Sequence, residues 1–148
     1  CSGTDAAATA RKLCAADAGG IEAIVAALQA HPLVADVQYH GCVALGNVCL
    51  GGDAAALARI QRAADAGGIE LAVAAMQAHP QVVRVQQGGC GVLGLVCSGT
   101  DAAGIARKQR AADAGGIEAI VAALQAHSQD AGVQQFGCSA MGNVCSGT

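Results

Sequence analysis

Aromatic side chains are nearly absent from this sequence. Tyr39 and Phe136 are the only two in 148 residues, and tryptophan is missing altogether. Strands favour β-branched and aromatic residues, whereas roughly a quarter of this chain is alanine, so a β-sandwich is not expected. Charge is also scarce, at 13% of residues, about half the usual share. The net charge of −3 leaves no basic footprint for a nucleic-acid partner. Low charge with 53% hydrophobic residues is the reverse of the signature of disorder. No apolar run approaches about 18 residues without Asp, Glu, Arg, Gln or a Gly–Gly pair, so direct membrane insertion is not expected. The chain opens on Cys1, with no visible signal peptide or transit segment.

What is present is repetition. Cys1, Cys49, Cys97 and Cys145 are spaced by 48, and so are Cys42, Cys90 and Cys138. Cutting on that period gives three copies, 1–48, 49–96 and 97–144, with 145–148 restarting the pattern. Of the 48 positions, 27 are identical in all three copies. The segment Ala-Asp-Ala-Gly-Gly-Ile-Glu recurs at 16–22, 64–70 and 112–118, and Gln-Ala-His recurs at 29–31, 77–79 and 125–127.

Each copy is expected to form three helices. In the first copy, Asp5 is a candidate N-cap for a helix reaching Ala18, and the alanine-rich body favours helix. Gly19 stands where a left-handed residue would end it. A second helix starts near Ile21, with Glu22 in its first turn and Ile21, Ile24, Val25 and Leu28 on one face. His31 ends it, and Pro32 forbids continuation. A third covers Ala35 to Val48, with Val37, Cys42, Leu45 and Val48 inward. One copy alone cannot bury its apolar face, so neighbouring copies must supply the core.

The order Gly19-Gly20-Ile21, Leu28, Val37-Gln38, Ala44-Leu45 and Asn47-Val48 resembles the second and third helices of the armadillo repeat, and the likeness recurs in all three copies. It is similar also to the alanine- and glycine-rich armadillo arrays of algae and protists. The period is slightly longer than the usual span of about 40–47 residues, with the surplus in the first helix and the loop before it. HEAT repeats, the nearest alternative, lack the Gly-Gly kink. The resemblance implies an all-α fold: a right-handed α-solenoid of three armadillo-like three-helix repeats, one domain over 1–148.

Differences between copies concentrate on the third helix. From Ala15 to His31 only three of 17 positions vary, whereas from Ala35 to Val48 eight of 14 do. Four of the variable positions fall at i, i+4, i+7 and i+11, one helical stripe. The stripe reads Asp36, His40, Val43, Asn47 in copy one; Arg84, Gly88, Gly91, Leu95 in copy two; and Gly132, Phe136, Ser139, Asn143 in copy three. The resemblance places this stripe in a concave groove that holds an extended peptide. The family's groove Asn falls on Asn47 and Asn143, with Leu95 in its place in copy two. Its groove Trp falls on Val43, Gly91 and Ser139, so the usual peptide clamp is incomplete.

Eight cysteines invite a metal or redox reading, but their spacing opposes it. Cys42 and Cys49 lie about 10.5 Å apart along one helix, beyond disulfide reach. There is no Cys-x-x-Cys and no zinc-finger spacing. Cys42, Cys90 and Cys138 are expected to be small core residues, and all eight thiols to be reduced and metal-free. Cys14 replaces Arg62 and Arg110 of the other copies, which suggests partial exposure. His31, His79 and His127 suit the negative ends of their helices, and His40 is a candidate polar contact in the groove. Arg11-Lys12 and Arg107-Lys108 are expected to be solvated. There is no phosphate-binding loop, no convergent catalytic set and no cofactor motif, so an enzyme is not expected.

The functional expectation is a non-enzymatic module presenting its third-helix surface to a protein or peptide partner. The alternative is a structural linker or scaffold subunit within a larger assembly, such as an algal organellar complex. A thiol-based metal holder is the third class. Unpaired thiols point to a reducing intracellular compartment, the cytoplasm or the stromal side of a chloroplast complex. Both ends read Cys-Ser-Gly-Thr, and neither copy one nor copy three carries a polar capping face. Further repeats or a docked neighbour are therefore expected. Gly19, Gly67 and Gly115 should have positive φ, and Gly19→Val should cost about 1 kcal/mol or more in a denaturant titration.

Overall fold

The computed structural model describes residues 2–146. Cys1, the first member of the cysteine series, and Gly147-Thr148 of the closing segment lie outside them. The described residues form nine helices and no strand: α1 (Ser2–Asp17), α2 (Gly20–Ala30), α3 (Ala35–Cys49), α4 (Ala54–Asp65), α5 (Gly68–Ala78), α6 (Val83–Val96), α7 (Ala102–Asp113), α8 (Gly116–Ala126) and α9 (Ala131–Cys145). The fold is all-α.

Two residues suffice to turn α1 into α2, because Gly19 adopts φ 82°. Gly67 and Gly115 do the same at φ 95° and 82°. A side chain in that left-handed conformation would crowd the backbone, so glycine is required. The second helices end at His31, His79 and His127. Pro32 is not the cause, since α8 stops at the same register before Ser128. The stop is held from the neighbouring helix. Gln38 Nε2 donates to the Leu28 and His31 carbonyls, at 2.9 Å each, and Gln86 donates to those of Met76 and His79. Gln134 does so to Leu124 and His127. These carbonyls have no partner within their own helix. Gln38 and Gln86 are fully buried by this role. Gly41 then lets α3 approach α2 closely: a Cβ there would run into the Leu28 side chain.

Equivalent helices lie beside one another. α6 packs against both α3 and α9, and α5 touches α2 and α8. The core threads between them through Ile21, Leu45, Ile60, Ile69, Leu93 and Ile120, each at most 1% exposed. Full burial of such a side chain is worth about 1.5–3 kcal/mol. On α2, Ile21, Val25 and Leu28 are buried and Ile24 half-buried; on α3, Cys42 and Leu45 are buried while Val37 and Val48 are half-buried.

Three expectations need correction. Asp5 does not stand at the start of a helix, because α1 already runs from Ser2. Its counterparts Asp53 and Asp101 do cap α4 and α7, accepting from the Ala56 and Gly104 amides. Cys138 is exposed, because the helix that covers Cys42 and Cys90 in their copies has no counterpart beyond α9 among the described residues. Arg107 and Lys108 are not solvated: they are 4% and 7% exposed. Arg107 Nε donates to the Val96 carbonyl at 2.7 Å and its Nη2 to Ser98 O at 3.1 Å. Lys108 Nζ reaches the Ser146 carbonyl and hydroxyl. A first-helix basic residue thus satisfies the end of a third helix.

Arg59 repeats this role toward Val48 O at 2.7 Å, with one defect. Arg107 Nη1 donates to Gln61 Oε1 of the preceding copy. The residue equivalent to Gln61 in copy one is Leu13, and Arg59 Nη1 is buried without an acceptor among the described residues. Leu13→Gln should therefore stabilise the fold by about 1–3 kcal/mol, the cost of an orphaned donor on a charged group. Urea unfolding of the variant checks this, and an unchanged or lower midpoint would refute it.

Candidate functional site

The variable stripe lies on α3, α6 and α9, and because these helices are neighbours its members partly converge. Val43, Asn47, Gly88, Gly91, Leu95 and Phe136 line one cavity of about 320 Å³. Copy two lines it with Gln87, Gly88, Gly91, Val92 and Leu95, and copies one and three complete it with Val43, Asn47 and Phe136 among others. A Cβ at Gly91 would sit 3.9 Å from the Phe136 ring, in open van der Waals contact. Phe136, Val43 and Leu50 stay 44%, 37% and 53% exposed, so the lining is apolar and reachable. A smaller hollow beside it, of about 270 Å³, takes in Leu95, Phe136, Ser139 and Asn143.

Other stripe members go elsewhere. Asp36 and Arg84 form an ion pair at 2.7 Å across α3 and α6. The Arg84 guanidinium lies 5.7 Å from the centroid of the Tyr39 ring. His40 lines a separate hollow with Ile24, Ala27, Val37 and Gly41, so it does not share the cavity of Val43 and Asn47. Asn143 is already engaged, its Nδ2 donating to Gly94 O at 2.7 Å. Gly132 leaves space for Gln87, whose Nε2 donates to Asp130 Oδ1. Asp130 also accepts from the Val133 amide, capping α9. Those two bonds, the amide first, hold its carboxyl below the usual range.

Reading the stripe missed six lining residues: Tyr39, Cys42, Gly46, Leu50, Gln87 and Val92. Tyr39 is off the i, i+4, i+7 line. Leu50 carried a signal, since the other copies have Ser2 and Ser98 at that position. The histidine reading was also incomplete. His79 Nε2 bonds the Pro32 carbonyl at 2.8 Å, and His127 Nε2 bonds that of Pro80 at 2.8 Å, each tying two copies together. Bidentate pairs of Arg62 with Glu22 and of Arg110 with Glu70 do likewise. Cys14, exposed, has no such pair.

The described cysteines are all free thiols. Burial pushes Cys42 and Cys90 up to about 12. It pushes Cys49 and Cys97 up to about 11, with Arg59 and Arg107 pulling back. The thiolate is the nucleophile and metal ligand, so these four are inert at neutral pH. Among the described residues, no three His, Cys, Asp or Glu side chains stand close enough to hold a metal ion. Among the described residues no single helix is long and apolar enough to cross a membrane; Ala6–Asp17 of α1 and α2 together reach that length but bend by 62°. No protein-family model, curated protein or solved structure matches the chain.

The buried thiols set a pH limit. In the unfolded chain they ionise from about 9.0, while the folded chain keeps its protons to about 11–12. Above pH 9 the unfolded state therefore binds fewer protons, and folding weakens as pH rises. Stability should be insensitive to these groups below pH about 9. Above it, each thiol should take away about 1.4 kcal/mol per pH unit until its folded value is reached. Urea midpoints measured from pH 7 to 10.5 check this, and the fall should be shallower in Cys42→Ala/Cys90→Ala.

Proposed function

We propose that the chain is a right-handed α-solenoid of three armadillo-like three-helix repeats that binds a protein or peptide through the concave face of its third helices. The reading is non-enzymatic and requires no cofactor, nucleic acid or membrane insertion. The observation that carries it is the apolar cavity of about 320 Å³ between α3, α6 and α9. Its size falls in the range of ligand sites. Copy-to-copy variation produces it: glycine at 91 leaves out a side chain, while Tyr39, Val43 and Phe136 stand around the gap. A bulky apolar side chain of a partner is the natural occupant, with Asn47 available to bond its backbone.

A second reading has its own support. Asp36–Arg84, Gln87–Asp130 and Asn143–Gly94 join neighbouring third helices through residues of the variable face. A linker or scaffold subunit would use them for stiffness alone. In either case the reduced thiols suit a reducing intracellular compartment, cytoplasmic or stromal.

Selection of a displayed random-peptide library on the protein separates the two. The binding reading expects enriched peptides with a large apolar residue. Gly91→Leu should abolish their binding while keeping or raising stability, because leucine is the better helix former by about 0.8 kcal/mol. Asn47→Ala should weaken binding by about 0.5–1.5 kcal/mol. Peptides that bind Gly91→Leu unchanged, or no enrichment at all, would leave the linker reading in place.

A further inference from the structure

The two aromatic side chains of this sequence, Tyr39 and Phe136, come from different copies, yet both line the cavity between α3, α6 and α9. The position of Tyr39 holds Gln87 and Gln135 in the other copies, and that of Phe136 holds His40 and Gly88. Leu50, Val92 and Leu95 line the same cavity. Serine, alanine and asparagine, respectively, stand at their equivalent positions. Bulky apolar choices that the repeat does not otherwise make are therefore gathered at one place.

The two rings approach α6 from the helices on either side of it. A Cβ at Gly88 would lie 3.8 Å from Tyr39 Cδ2, and one at Gly91 would lie 3.9 Å from Phe136 Cδ1. Among the described residues the rings do not pair with one another; Tyr39 pairs with His40, at 4.8 Å between centroids. The cavity thus lies beside two rings and holds none. Rings attract a further ring in offset or edge-to-face contact, with centroids about 4.5–7 Å apart.

One polar group of the lining has a fixed orientation. Gln87 Nε2 donates to Asp130 Oδ1 at 3.0 Å. A carboxylate only accepts, so the amide nitrogen faces Asp130 and its oxygen faces away. Gly132 admits this arrangement, since a Cβ there would run into Nε2. Asp130 stands where the other copies have Val34 and Val82, so the lock is particular to this cavity. Among the described residues Gln87 Oε1 receives no hydrogen bond. No lining residue is charged, so an ionic occupant would lose its hydration uncompensated.

Resting on the binding reading above, we propose that the cavity takes the indole of a partner's tryptophan, with the ring N–H donating to Gln87 Oε1. Indole is the largest side chain that joins an apolar ring to a single donor, and it brings no acceptor to be left unmet. Tryptophan is also enriched among the residues that carry interface affinity. Asp130 is a positioning residue: it aims the Gln87 acceptor without touching the partner.

The chain contains no tryptophan, so indole fluorescence reports the occupant. Peptides selected on the protein are resynthesised with tryptophan, 1-methyltryptophan, tyrosine, phenylalanine or leucine at their large apolar residue. The tryptophan form should bind most tightly, with its emission shifted to the blue. Methylating the ring nitrogen should weaken binding by about two- to ten-fold, the range of one hydrogen bond. In Gln87→Met and in Asp130→Val the two indole peptides should bind alike, while the phenylalanine peptide keeps its affinity. Valine precedes α3 and α6 at this same position, so the start of α9 tolerates it, and circular dichroism checks the fold. Three results would overturn the proposal and leave the cavity a peptide site: another anchor binding as tightly as tryptophan, indifference to methylation, or an indole preference that survives Gln87→Met. If no peptide is selected at all, the binding reading falls and the proposal with it.

Discussion

The arrangement of this chain depends on a buried guanidinium. A third helix can lie beside its counterpart only if it stops at a fixed residue and the chain then turns back. At that stop the last carbonyls lose their partners. Arg59 and Arg107 reach in from the following first helix and donate to Val48 and Val96. Removing such a charge from water is costly, and hydrogen bonds offset the cost only when they are nearly complete. Arg107 spreads its donors over Val96, Gln61 and Ser98, as a planar fork can and an ammonium cannot. The arginine also fixes register, since a slip of one residue would separate the fork from its carbonyls. The cavity on the third-helix face inherits that register, because Val43, Gly91 and Phe136 meet only when the helices are aligned by one period.

Part of this was legible in the sequence. The 48-residue period, the turns at Gly19, Gly67 and Gly115, and the all-helical fold follow from local chemistry: left-handed glycine, apolar spacing and alanine content. Gln38, Gln86 and Gln134 were visible as fixed positions, but their role was not. Their partners lie 7 and 10 residues away in another helix, and no local rule links them. The pair Arg107-Lys108 misled for the same reason. Adjacent basic residues on an alanine-rich helix look solvated until the end of another helix is brought against them.

Ser-Gly-Thr-Asp makes the limit concrete. At 2–5 these residues are helical; at 98–101 the same four form a turn, with Gly99 at φ 95° and Asp101 capping α7. Composition and propensity are identical, so the difference is tertiary. In copy three the chain must leave α6, and Arg107 holds the Ser98 carbonyl. Cys138 differs from Cys42 and Cys90 on the same ground. Its own helix is equivalent, but what lies against that helix is not.

Variation along the stripe then divides into two kinds. At positions 36 and 84 the change from Asp to Arg is complementary: the two side chains pair, and one is intelligible only through the other. The same holds for Asp130, which replaces a valine of the other copies and receives Gln87. These changes join copies. Gly91 does the opposite, since it leaves room between helices that an ordinary side chain would fill, whereas at Gly88 a Cβ would already press to 3.1 Å on Cys42 Cβ. Glycine inside a helix costs about 0.8–1.0 kcal/mol relative to alanine. α6 carries glycine at 88, 89, 91 and 94 in a 14-residue span. Gly89 is explained by packing, because a Cβ there would strike Met76; at Gly91 the nearest atom is 3.9 Å away, and packing leaves alanine acceptable. The helix thus bears a stability cost at Gly91 that close packing does not demand, in the lining of a cavity to which all three copies contribute.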